Sequence, residues 1–220
     1  MDEDSVIIPL LNGMQHLDML RKRLGTPTVF GGVAHLMSTL DENARIRHLS
    51  KIHEMRYGPL DGVPSCALDR VDGALRGSGF DAVKSLTIMQ DMWEKWVFLA
   101  SLGAITCLMR GTVGDVEAVS GGRAFAEGVL GEAASVAAAN GHTIEQEVLT
   151  HIRETLTEHG SGAQSSMYRD LLERRRVEAE QILGDMVTRA ESFQVSTPLL
   201  RLALLNLAIY AKSLSSDQVT

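Results

Sequence analysis

Residues 88–109 read IMQDMWEKWVFLASLGAITCLM, charged in the first half and almost wholly apolar from Trp96 to Met109. A helix that is apolar nearly all round belongs inside a bundle, and the most apolar part, Trp96 to Met109, is shorter than a bilayer needs. From about Thr87 onward helical periodicity continues to the end, with candidate helices at 88–109, 112–119, 122–140, 143–158, 165–174, 177–193 and 197–214. Gly111, Gly121-Gly122, Asn140-Gly141 and Gly160-Ser-Gly162 supply the breaks, and Thr197-Pro198 reads as an N-cap followed by proline at the first helical position.

Upstream the pattern is mixed. Val6 to Leu11 (VIIPLL) is a continuous apolar run ending at Asn12-Gly13, as a parallel strand covered on both faces would. Gln15 to Leu24 has helical spacing. Val29 to Leu40, Ala44 to Leu49 and His53 to Tyr57 read as strands, with a turn after Leu40. Ser65 to Leu75 is a short amphipathic helix with Ser65 as N-cap, and Phe80 to Leu86 is extended. A parallel strand at the start needs a βαβ crossover before it, so the expectation is a truncated chain. Residues 1–86 are expected to form a mixed α/β part and residues 87–220 an all-helical domain.

A chain of 220 residues, 45% hydrophobic, buries a sizeable core. Its net charge of -7 excludes a phosphate backbone as natural partner. Cys66 and Cys107 are too few for a disulfide framework and lack zinc spacing, which suits a reducing cytoplasm. The acidic Met1-Asp-Glu-Asp start is unlike a signal peptide, and no segment targets a membrane. The histidines and methionines show no ligand spacing, and no metal is assigned.

Four segments bear on chemistry. Gly77-Ser-Gly79-Phe-Asp-Ala82 satisfies G-x-G-x-x-A, but a helix precedes it and an extended segment follows, the reverse of what a phosphate cradle requires. It reads as a helix end and turn. Asn12-Gly13 stands where the apolar run ends, the place where α/β sheets bind ligands, and it equally suits a plain turn. Lys95 begins the apolar helix; partial burial would lower its pKa and suit it to acid catalysis, whereas Asp91 four residues earlier offers an ordinary ion pair. Ser165 to Asp170 is a polar loop entering a helix, with Ser166 as a candidate cap whose neighbouring N–H groups suit a carboxylate. The following Glu173, Glu178 and Glu180 with the arginine run read as a solvated face.

Pro9-Leu-Leu-Asn-Gly-Met14, Gly31-Gly-Val-Ala-His35, Trp93-Glu-Lys-Trp-Val97, and Ser165-Ser-Met167 with Asp170 and Glu178, in this order, resemble the ketopantoate reductases (2-dehydropantoate 2-reductases); Val195-Ser-Thr-Pro198 adds weaker support. The resemblance implies a mainly α fold: a helical bundle like the C-terminal domain of 6-phosphogluconate dehydrogenases, preceded by a small α/β remnant of a Rossmann domain. It implies NADP as cofactor, held chiefly by the missing first half, and a 2-oxo acid as substrate. Lys95 then matches the catalytic lysine that protonates the carbonyl oxygen, and Glu178 the glutamate beside it and the cofactor ribose. Asn12 matches the asparagine between nicotinamide and substrate, and Met37 a backbone contact to the cofactor. Ser166, Met167, Tyr168 and Arg169 match the stretch that holds the substrate carboxylate.

The chain also departs from the family's pattern. Leu99 and Gly103, one and two turns after Lys95, replace substrate-binding asparagines, and Val113 and Ala163 replace polar positions. Three readings stand side by side: a ketopantoate reductase, a paralogue acting on a more apolar carbonyl compound, and a helical dimerisation or binding module without catalysis. A homodimer through the helical domain accompanies all of them.

Overall fold

The computed structural model describes residues 5–25 and 29–216. They fall into two compact units, Met1–Met92 and Trp93–Thr220.

The first unit contains α1 (Gln15–Leu24), β1 (Phe30–Leu40), β2 (Ile46–Pro59), α2 (Cys66–Leu75) and β3 (Asp81–Lys84). The sheet order is β1-β2-β3, antiparallel between β1 and β2 and parallel between β2 and β3. Asp41 makes the β1–β2 turn because its carboxylate accepts from the N–H groups of Asn43 and Arg45, both at 2.9 Å. Phe30, Tyr57 and Leu68 centre a small core joined by Val6, Ile8, Met55 and Val71. Ser65 caps α2 as its spacing predicts, its hydroxyl accepting from Leu68 N–H at 3.2 Å.

Two strand expectations need correction. The two segments expected at 44–49 and 53–57 are one strand, β2. Leu36 pairs with His53 and Ser38 with His48, so residues 49–52 bulge out while the ladder continues on both sides. Val6 to Leu11, expected to be covered on both faces, makes one parallel bridge, Ile7 to Val29. Its side chains are half-buried at best, and Leu11 is 61% exposed. Gly32 explains the one covered side: a Cβ there would stand 2.8–2.9 Å from Ile8, Pro9 and Leu10.

Beyond Met92 the chain is helical among the described residues. Helix α3 (Ile88–Met109) leads to α4 (Val113–Glu117), α5 (Gly122–Ala139), α6 (Gln146–Leu156) and α7 (Ser166–Leu172). A π-helical turn, Glu180–Gly184, runs into α8 (Asp185–Ser192), and α9 (Pro198–Ser216) follows. Trp93, Trp96, Ile105, Met167, Leu183 and Leu207 are among the fully buried side chains of this unit. Helix α3 is the one described helix long and apolar enough to cross a membrane, yet 67% of its most apolar window lies inside the protein, as in a core helix. Thr112 and Asp115 close a capping box on α4. Thr197, expected to cap α9, has a buried hydroxyl with no hydrogen-bond partner among the described residues. Glu132 does that work from α5: its carboxylate accepts from Leu199 N–H at 3.0 Å and Leu200 N–H at 2.9 Å, anionic density where the helix dipole favours it.

Candidate active site

Lys95, Leu99 and Gly103 follow one another at four-residue spacing on α3 and so share a face. Lys95 and Leu99 are half-buried there and Gly103 is buried. Burial lowers the Lys95 pKa, because a desolvated ammonium is penalised against its neutral form, while the negative charge of Glu178 opposes that shift. Asp91, the alternative partner, has its carboxylate engaged by Arg56 at 3.1 Å and by the Ser85 hydroxyl. Glu178 is exposed, as a solvated face requires, and its field nevertheless reaches Lys95. Its carbonyl accepts from Ile182 N–H at 3.2 Å, which fixes Glu178 at the entrance to the π turn.

The segment entering α7 differs from expectation by one residue. Ser165, not Ser166, is the cap: its hydroxyl accepts from Tyr168 N–H at 3.0 Å and lies 2.8 Å from the Thr106 hydroxyl of α3. Either serine satisfies the cap preference, and the one that also meets Thr106 takes the position. Ser166 is left exposed, Met167 and Tyr168 are buried, and Arg169 is half-buried. Met167 lies on Gly103 so closely that a Cβ at 103 would overlap its terminal methyl. The glycine on α3 and the methionine on α7 therefore form one packing unit. Asp170, next in line, has its carboxyl pushed up by burial.

That packing yields a measurable coupling. Asn at position 103 must displace a side chain that is 1% exposed, an overpacking expected to cost about 1–3 kcal/mol. Met167→Ala opens a cavity but also makes room. The double variant is expected to lose less stability than the two single losses added together, by more than about 0.5 kcal/mol. Urea unfolding of all four proteins measures this; strict additivity would contradict the shared space.

The remaining candidates stand in the first unit. Asn12 is half-buried in the turn before α1, where Gly13 takes φ 78°. One turn on, His16 Nε2 is buried without a partner among the described residues, and burial lowers the pKa of the ring. Met37 sits at the β1 bulge with its N–H donating to the Ser50 hydroxyl at 3.3 Å and its side chain exposed. An amide and an orphaned imidazole nitrogen suit contact with a nicotinamide. The pyrophosphate end finds no such fit at Gly77–Ala82: α2 ends before it, β3 begins within it, and Gly77 and Gly79 take φ 78° and 82° in a turn. An open groove of about 410 Å³ between α5 and α6, lined by Glu127, Leu130 and Arg153 among others, contains none of these residues.

The family profile "Ketopantoate reductase PanE/ApbA C terminal" matches residues 87–210, and "Ketopantoate reductase PanE/ApbA" matches residues 1–62. The chain belongs to the ketopantoate reductase family. YkpB of Bacillus subtilis (strain 168), described as an uncharacterized oxidoreductase, is 28% identical over 208 residues, which cover 94% of this chain and 69% of that protein. The 2-dehydropantoate 2-reductase of Halobacterium salinarum is 24% identical over 199 residues, 90% of this chain and 65% of its own length. Thus the chain spans about two thirds of these relatives. D-mandelate dehydrogenase solved with NADH and anilino(oxo)acetate superposes with a TM-score of 0.84 at 20% identity, covering 98% of this chain and 70% of that one. The ketopantoate reductase fold is thereby established: a mostly helical C-terminal part after a small three-stranded α/β part.

The bond from the Trp96 indole to Ile182, Arg189 and the π turn escaped the sequence reading. The tryptophans of Trp93-Glu-Lys-Trp96 were visible as a motif, but two of their partners, Ile182 and Arg189, lie some ninety residues on, with no periodic signal joining them.

Proposed function

We propose that the protein reduces the keto group of a 2-oxo acid with NADPH, Lys95 giving the proton to the carbonyl oxygen. The supporting observation is a half-buried lysine whose pKa burial lowers and an anion, Glu178, whose charge holds the proton in place. The dinucleotide supplies the hydride. Asn12 would orient the nicotinamide against the substrate, the Met37 backbone would touch the cofactor, and Glu178 would face its ribose. Ser166 and Arg169 are the polar groups offered to the substrate carboxylate, with Met167 and Tyr168 packed beneath. In this reading residues 1–86 belong to a dinucleotide-binding domain, and residues 87–220 bind substrate and pair with a second copy. Exposed Leu202, Leu205 and Ile209 on α9 support such pairing. Free thiols at Cys66 and Cys107 agree with a reducing cytoplasm.

The wall beyond Lys95 favours a substrate with an apolar group in place of the pantoate hydroxyls. Leu99 offers no hydrogen bond, and Met167 fills the space above Gly103. A substrate hydroxyl left unpaired in a buried site costs about 1–3 kcal/mol, a factor of about ten or more per group. Steady-state kinetics of the full-length protein with NADPH and a panel of 2-oxo acids tests this. Ketopantoate is expected to rank below acids with apolar side chains, and Leu99→Asn is expected to raise its relative kcat/KM by about tenfold. Ketopantoate as the preferred substrate of the natural protein would defeat the apolar assignment, and no reduction of any 2-oxo acid would defeat the activity itself.

A further inference from the structure

The Trp96 indole N–H donates to the Ile182 carbonyl at 2.9 Å, a buried bond between residues 86 apart in sequence. Ile182 lies within the π turn, where Asp185 N–H reaches back to the Glu180 carbonyl. Such a turn adds one residue to the helical ladder, frees carbonyls from their usual partners four residues on, and recurs at functional sites. Other contacts hold the same junction rigid. Arg189, bonded to Asp185 at 3.2 Å, stands 5.9 Å from the Trp93 ring centre and 5.6 Å from that of Trp96.

We propose that the Trp96–Ile182 hydrogen bond sets the spacing between Lys95 and Glu178, making Trp96 a positioning residue for proton transfer. Lys95 directly precedes Trp96 on α3. At the other end, Glu178 is tied by its carbonyl to the N–H of the same Ile182 whose carbonyl meets the indole. One backbone residue thus joins the element carrying the acid to the element carrying the anion beside it. A tryptophan serving only as core volume needs some acceptor for its N–H, but nothing in that role directs it to the carbonyl four residues from Glu178. Asp91 and Glu94 on α3, Glu180 in the π turn, and Asp185, Arg189 and Glu191 on α8 are the other charges on the elements concerned; Glu178 is the one whose field acts on Lys95.

The proposal rests on Lys95 as proton donor, and its test separates the two. Lysine-selective NMR of the full-length protein follows the Lys95 titration in the natural protein, Trp96→Phe and Glu178→Gln, alongside kcat and KM against pH. Trp96→Phe keeps the ring and removes the donor. Its Lys95 midpoint is expected to fall by about one pH unit, as in Glu178→Gln, since the opposing anion is no longer held near. kcat is expected to fall about tenfold with KM changed less than about twofold. In the natural protein, the Trp96 indole N–H resonance is expected to move through the Lys95 midpoint, a readout that survives if Trp96→Phe does not fold. An unchanged Lys95 midpoint in folded Trp96→Phe, or an indole resonance indifferent to that titration, overturns the positioning role. A shifted midpoint together with full activity in Lys95→Ala keeps the positioning and removes the proton-donor reading.

Discussion

Replacing Lys95 with alanine in the full-length protein is expected to cut reduction of every active 2-oxo acid by about a thousandfold, the scale of a lost general acid. The substitution removes the only group assigned to protonate the developing alkoxide. It spares the packed core of α3, because Trp93, Trp96 and Val97 are the fully buried residues there while Lys95 is half-buried. Activity requires protonated Lys95, so kcat/KM falls as pH rises through its lowered pKa. Glu178→Gln takes away the charge that opposes the lowering, and the alkaline limb is expected to move to lower pH. Stability runs the other way. With the folded pKa below the unfolded one, the unfolded chain binds more protons between the two values, and stability rises with pH across that interval. At pH 7 the ammonium is therefore a net cost, and Lys95→Met is expected to raise Tm by about 2 °C or more while activity vanishes. An active Lys95→Ala enzyme would defeat the mechanism; an inactive Lys95→Met with reduced Tm would defeat the claim that the site costs stability.

The second large effect concerns the fold. Gly58 on β2 pairs with Gly31 on β1, and the Ser85 backbone passes directly over it. A Cβ at 58 would fall on the Ser85 carbonyl oxygen. Ser85 cannot retreat cheaply, because its N–H donates to the Tyr57 carbonyl at 2.9 Å and its hydroxyl bonds Asp91. Alanine restricts the unfolded chain and gains about 0.4–1 kcal/mol for that reason. The collision with backbone costs about 3 kcal/mol or more, at the upper end of overpacking. Gly58→Ala is thus expected to be strongly destabilising, read as a lower urea midpoint with unchanged m. Gly73→Ala, on α2 with open space around its Cβ, is the control and is expected to be neutral or stabilising. Equal midpoints for the two variants would mean that Ser85 does not lie where it is described.

Helices were legible because their periodicity and their breaks are local. The stretch at 88–109 fixes α3 residue for residue, and Asn140-Gly141 ends α5 with Gly141 at φ 86°. Local rules gave less where two residues compete or where the deciding partner is distant. Ser165 and Ser166 are equal as caps until Thr106 chooses between them, and Thr197 yields to Glu132, 65 positions earlier in the chain. The bulge at 49–52 divides one strand into two apparent ones, since pairing partners and not composition define its extent. Around Lys95, Gly103 reads as a missing amide, but that Met167 occupies its place follows only from packing.

The burial of α3 has a consequence for synthesis. Residues that meet it come late in the chain: Met167 of α7 lies on Gly103, and Ile182 of the π turn accepts from the Trp96 indole. Between Met109 and Ile182, 73 positions apart, a ribosome working at about 5–20 residues per second needs roughly 4–15 s. For that interval the 22-residue helix has been made while the π turn that receives Trp96 has not. Its length and hydropathy are those by which membrane-insertion machinery selects its clients. Yield in a cell is then governed by how well α3 is shielded during translation, and slowing elongation after Met109 is expected to divert chains to membranes or aggregates before the finished protein's stability matters.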